Sequence, residues 1–132
     1  MQKRIHVAVG VIINQHKQIL LAKRHDHLHQ GGKWEFPGGK VEQNETVTAA
    51  LIRELKEEVD LDVNSTTAFM DISHDYPDKQ VRLNIHLVTD FNGQATGVEG
   101  QQIQWVELQS ISEYEFPEAN KPILDRLLTL PW

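Results

Sequence analysis

With 132 residues the chain is long enough to bury one substantial core and too short for two, so residues 1–132 read as a single domain. It has no cysteine, which excludes disulfides, thiolate metal sites and a cysteine nucleophile. A net charge of -6 weighs against binding the backbone of polymeric nucleic acid, which calls for a basic face; an anionic small substrate would need metal ions as intermediaries.

In chain order, the basic start is followed by an apolar run of seven residues, VAVGVII, that contains a glycine and lacks a small-residue cleavage site. Neither export nor membrane spanning is expected, and the absence of cysteine suits a reducing cytoplasm. RIHVAVGVII is rich in β-branched residues and leads through the polar NQHKQ into ILLAKR, a pattern that predicts a hairpin with both strands in the core sheet. HDHLHQGGK is then a loop, and WEFPGG a short strand stopped by a proline and two glycines. No glycine or proline interrupts residues Thr46 to Val59, which predicts a helix, with Glu42 and Glu45 supplying acids at its entrance. TAFMDIS and QVRLNIHLVTD read as strands around a turn at YPDK, and QIQWVEL as one more strand after the glycine-bearing loop FNGQATGVEG. NKPILDRLLTL ends the order as a helix with Asn120 at the capping position and an early proline. Strands interrupted by one strong helix and closed by another predict an α/β sandwich with a mixed sheet.

The predicted central helix crowds four carboxylates into residues 54–61. At about 100° per residue, Glu54, Glu57 and Glu58 span an arc of roughly 100° beside the apolar arc of Leu51, Ile52, Leu55 and Val59. Glu54 and Glu58 form a like-charge i,i+4 pair costing about 0.2 to 0.5 kcal/mol, which something cationic should offset. Oxygen-only ligands converging from one helix suit Mg²⁺, with Mn²⁺ as a substitute, and Arg53 can pair with Glu57 or orient a neighbouring carboxylate. On spacing alone, an acidic, salt-bridged surface helix explains the same residues.

A longer pattern separates these readings. Gly39, five residues, Glu45, seven residues, then Arg53-Glu54-Leu55-Lys56-Glu57-Glu58-Val59-Asp60-Leu61 resembles the Nudix box, G-x5-E-x7-R-E-U-x-E-E-x-G-U with U aliphatic. Every fixed position matches except the last glycine, here Asp60. The resemblance implies a Nudix α/β/α sandwich and metal-dependent hydrolysis of a nucleoside diphosphate linked to another group. Aspartate at the box glycine would sit at the left-handed helix terminus, at a cost to the fold and with a negative charge at the negative end of the helix dipole.

HVAVGVI, KWEFPGGKVE, YPD, EGQQIQWVEL and FPEANKPIL together resemble the branch of that superfamily that hydrolyses 8-oxo-dGTP. By this resemblance Glu54, Glu57, Glu58, Glu99 and the carbonyl of Gly38 form the metal site, with Arg53 among the catalytic groups. Arg24, His29, Glu35, Phe36, Pro37, Gly38 and Asn120 line the nucleotide pocket. Glu54 and Glu99 are both candidates for the base that takes the proton of the attacking water. The implied partner is a small nucleotide, 8-oxo-dGTP or 8-oxo-GTP, acted on by a monomer. Blander roles compete at several positions: Asn120 as a helix cap, Arg24 as a strand-end charge, Phe36 as a core aromatic, Glu99 as a surface-loop acid. His25, His27 and His29 around Asp26 raise a zinc site, against a nucleotide contact from His29. Two other functions stay open, a Nudix hydrolase for ADP-ribose or an ordinary triphosphate and a non-catalytic nucleotide sensor.

Overall fold

A computed structural model describes residues 4–26 and 31–130. Residues 27–30 lie outside that range, and with them the predicted contact of His29 and two histidines of the zinc reading. Among the described residues seven strands form two sheets, accompanied by two α-helices. The four-stranded sheet runs β4 (Gly38–Lys40), β1 (Ile5–Ile12), β6 (Gln80–Asn92), β5 (Asp62–Asp75). The three-stranded sheet runs β3 (Trp34–Glu35), β2 (Gln18–Lys23), β7 (Ile103–Glu107). The helices are α1 (Val47–Val59) and α2 (Lys121–Leu128). No helix among the described residues is long and apolar enough to cross a membrane.

The first sheet is mixed: β1 pairs with β6 in parallel, Ile5 opposite Val81 through Ile12 opposite Val88, and with β4 antiparallel. The predicted β1–β2 hairpin does not form. Asn14 turns the chain, its Oδ1 accepting from the amides of His16 and Gln18 at 2.9 and 3.0 Å, but only Ile13 and Ile19 bridge. The two strands then part into different sheets. The reason lies in β1 itself, which is covered on both faces: Ala8 and Ile12 pack with α1, while Val9 and Val11 pack with residues of α2. A strand buried twice takes a central place, and the parallel partner β6 fills it. WEFPGG likewise divides, Trp34 and Glu35 joining β2 while Gly38 and Gly39 pair with Val9 and Ala8 instead of ending a strand.

Helix α1 forms as expected. Thr46 has extended backbone and its Oγ1 accepts from the amide of Ala49 at 3.0 Å, one of the orphan donors of the first turn. Glu42 and Glu45 precede the helix, whose first turn holds no acid. Leu51, Leu55 and Val59 are fully buried, worth about 1.5 to 3 kcal/mol each. That outweighs the few tenths lost to like charges on the neighbouring arc. Gly10 on β1 lets the helix come close: a Cβ there would sit 3.2 Å from Leu55 Cδ1.

Candidate active site

Arg53 answers much of the charge crowding. Its guanidinium donates from Nε and Nη2 to the two carboxylate oxygens of Glu45 at 2.9 and 3.0 Å, from Nη1 to Glu54 Oε1 at 2.8 Å, and from Nη2 to the carbonyl of Lys40 at 3.1 Å. A longer contact, 3.4 Å, reaches Glu57. The bonds from Arg53 hold Glu45 down to about 2, so this clamp is charged at any physiological pH. The arginine therefore serves three box carboxylates and ties α1 to the loop before it. Gly39 completes the approach, since a Cβ there would lie 2.2 Å from the carboxyl carbon of Glu54.

Glu58 is different. Its carboxylate accepts from the amide of Gly38 at 3.3 Å, and among the described residues no cationic side chain pairs with it. Burial, then the neighbouring charges of Glu54 and Glu35, and more weakly Glu99, push it up to about 8, with the Gly38 bond opposing. Glu54 is raised in the same direction, by burial first, against the pull of Arg53 and with Glu57 and Glu99 adding to it. Glu99, exposed on the loop before β7, is thus close enough to act on both helix carboxylates.

Beside this cluster lies a cavity of about 320 Å³, walled by Ile5, Val7, Val81 and Leu83 and reached by Arg24, Glu35, Phe36, Gly38, Glu58 and Asn120. Arg24 Nη1 donates to Glu35 Oε2 at 2.6 Å; burial raises the Glu35 carboxyl, and Arg24 opposes the shift. Phe36 borders the cavity and also stacks on Phe116 at 5.3 Å inside the core. Pro37 does not line the cavity, and its carbonyl accepts from the amide of Gly10 at 2.8 Å.

Asn120 is not the helix cap that its place before Pro122 suggests. Its backbone is helical (φ −88°, ψ −13°) and its side chain makes no capping bond, because it closes a short 3₁₀ turn, Glu118–Asn120, that runs directly into α2. The residue is 9% exposed, and among the described residues its side-chain amide makes no hydrogen bond. The turn beneath it is fixed by Tyr76, whose hydroxyl accepts from the amide of Ala119 at 2.9 Å. Tyr76, Lys79 and Lys40 also border the cavity. Sequence reasoning passed over these three; each meets the site only through the pairing of distant strands, and the one available cue is that Tyr76 and Lys79 flank the predicted turn.

Asp60 takes the left-handed conformation expected at the box glycine, φ 58° and ψ 37°, and closes the helix with the single bond of an αL motif: its amide donates to the carbonyl of Lys56 at 3.2 Å, while that of Leu61 reaches back to Leu55 at 3.3 Å. The unfavourable charge there is met by Lys56, whose Nζ stands 3.0 Å from Asp60 and 3.2 Å from Asp62.

The residues fit a hard divalent cation. Glu54, Glu57, Glu58 and Glu99 offer oxygen only, and the like-charge pressure on Glu58 is the kind that a cation relieves. Among the described residues no three His, Asp or Glu side chains are grouped closely enough to hold a metal ion by themselves. An open set suits an ion that keeps waters and phosphate oxygens in its shell.

The chain is similar over most of its length to known proteins. The chain is 36% identical to an 8-oxo-dGTP diphosphatase of Escherichia coli (strain K12) over 97% of its own length and 99% of that protein. It is 43% identical to an 8-oxo-dGTP diphosphatase of Proteus vulgaris over 75% of this chain and 88% of the relative. A solved structure from work on MutT of Aliivibrio salmonicida and Vibrio cholerae superposes with a TM-score of 0.84 at 42% identity, covering 96% of this chain and 98% of the other. The sequence profile described as "NUDIX domain" matches residues 8–126, and the box that first suggested this family lies inside that span: the chain belongs to the Nudix family.

Proposed function

We propose that the protein hydrolyses 8-oxo-dGTP to 8-oxo-dGMP and pyrophosphate, and so removes an oxidised precursor before it can enter DNA. The observation that carries this reading is a buried asparagine, its side-chain amide without a hydrogen-bond partner among the described residues, lining the same cavity as Glu58 of the carboxylate cluster. Oxidation turns N7 of guanine from a hydrogen-bond acceptor into an N–H donor while O6 stays an acceptor. The Asn120 amide offers the matching pair, N–H₂ to O6 and carbonyl from N7–H. Ile5, Val7, Val81 and Leu83 supply the apolar surface that a flat base covers.

Glu54, Glu57, Glu58, Glu99 and the Gly38 carbonyl would hold Mg²⁺, or Mn²⁺ in its place. When bound, the ion neutralises phosphate charge and holds the attacking and leaving oxygens in line. Glu54, kept oriented by Arg53, and Glu99 are the two carboxylates able to take the proton of the attacking water. The water oxygen bonds to the β-phosphorus, the bridge to the α-phosphate breaks, and 8-oxo-dGMP departs. Arg24 and Glu35 hold each other at the cavity wall and present fixed polar groups to the nucleotide. A pure sensor would have no need of the full carboxylate set. The reading takes the protein as a monomeric, single-domain enzyme working in the cytoplasm.

The test is a low-concentration panel of 8-oxo-dGTP, 8-oxo-GTP, dGTP, other triphosphates and ADP-ribose with Mg²⁺. A kcat/KM for 8-oxo-dGTP at least about 10²-fold above dGTP, with pyrophosphate as co-product, is expected. Equal rates on both, or release of orthophosphate, would overturn the assignment.

A further inference from the structure

Glu99 is an exposed acid in a loop, yet the chemistry above requires it to stand at a fixed reach from α1. The loop is anchored to the last carbonyls of that helix, groups that no intrahelical donor can satisfy. The amide of Thr96 donates to the carbonyl of Val59 at 2.9 Å, and the amide of Val98 to that of Glu58 at 3.1 Å. Both bonds lie before Glu99. On its other side one side chain closes the span: Gln101 Nε2 donates to the same Glu58 carbonyl at 2.9 Å, and Gln101 Oε1 accepts from the amide of Glu99 at 2.9 Å. Both ends of one half-buried amide are thereby used, one on the helix that carries the box and one on the residue that faces it. Residue 58 consequently gives its carboxylate to the site and its carbonyl to the loop.

We propose that Gln101 is a positioning residue that clasps Glu99 to the C-terminal end of α1 and sets its distance from Glu54 and Glu58. The proposal rests on the reading of Glu99 as a member of the reactive cluster. The clasp acts on the backbone of Glu99, so it fixes where the carboxylate starts from and leaves the side chain free to close on a bound nucleotide. Its loss should therefore lower turnover more than binding.

The experiment compares Gln101→Met, which keeps the length and loses both bonds, with Glu99→Gln and the double variant. Gln101→Met should lower kcat by about 10- to 100-fold, the range seen when a group orienting a metal ligand is removed, with KM changed less than about threefold. In the Glu99→Gln background the same substitution should add less than about threefold, since the clasp has nothing left to position. In the metal-free protein, amide hydrogen exchange should quicken at Glu99 and stay unchanged in β1 and β6. Gln101→Ala is the second variant if the methionine packs badly, and should behave alike. Wild-type kcat in a folded Gln101 variant, unchanged exchange at Glu99, or full independent losses in the double variant would overturn the clasp. Wild-type activity in Glu99→Gln alone would instead overturn the reading on which it rests.

Discussion

Replacing Asn120 by alanine separates a base-reading amide from a structural one, because the two roles predict opposite patterns. A capping asparagine would cost about 1 kcal/mol of stability on removal, or roughly 3 to 4 °C in a chain of this length. No cap bond exists here, and the amide has no partner among the described residues, so stability should change by less than about 2 °C. The energetic consequence should fall on substrate instead. Against 8-oxoguanine the amide makes two complementary bonds; against guanine its carbonyl faces the N7 lone pair, a buried mismatch of about 1 to 3 kcal/mol. Asn120→Ala should then cut kcat/KM for 8-oxo-dGTP by about 10- to 100-fold and leave dGTP nearly unchanged. The assay is the ratio of the two kcat/KM values in wild type and variant, beside a thermal melt of each. Equal losses on both substrates, or a melt lowered by several degrees with the ratio intact, would refute base reading by this residue.

Glu54→Gln and Glu58→Gln should each lower kcat by at least about 10²-fold while circular dichroism shows the fold retained; full activity in either would remove the carboxylates from the mechanism. Chelation should abolish turnover, and the melting temperature should rise on adding Mg²⁺ to wild type but much less in Glu58→Gln. Asp60→Gly should raise the melting temperature by about 1 to 4 °C, the left-handed backbone favouring glycine while the lost pairing with Lys56 takes part of the gain, and kcat/KM should stay within about twofold of wild type. A large loss of activity in that variant would show that Asp60 has a part in the chemistry.

Helix α1 was legible almost to the residue because period and box coincide: the buried row Leu51, Leu55 and Val59 and the left-handed Asp60 all act within one turn or two of their neighbours. Strand pairing was not. The existence of β1 and β2 follows from their apolar runs, β-branched in β1, but their separation into two sheets depends on which faces other elements cover, and the polar turn between them resembles that of any hairpin. The near-continuous apolar run VAVGVII carried the missing cue, since a strand covered on one face alternates and a strand covered on both does not.

The same division runs through the site. Its anionic half is local: three glutamates and their arginine sit within six residues of one helix, at a spacing that chemistry constrains. The rest is assembled from distant segments, with Asn120 delivered by a turn that Tyr76 holds from the β5–β6 hairpin and Glu99 delivered by a loop that Gln101 ties to α1. Each supporting residue works through one backbone hydrogen bond to its client or to the residue before it, and such bonds demand no residue type with a recognisable spacing. The helix carboxylates proposed for the chemistry were therefore readable from their own pattern, whereas the residues that aim Asn120 and Glu99 became visible only once the chain had folded.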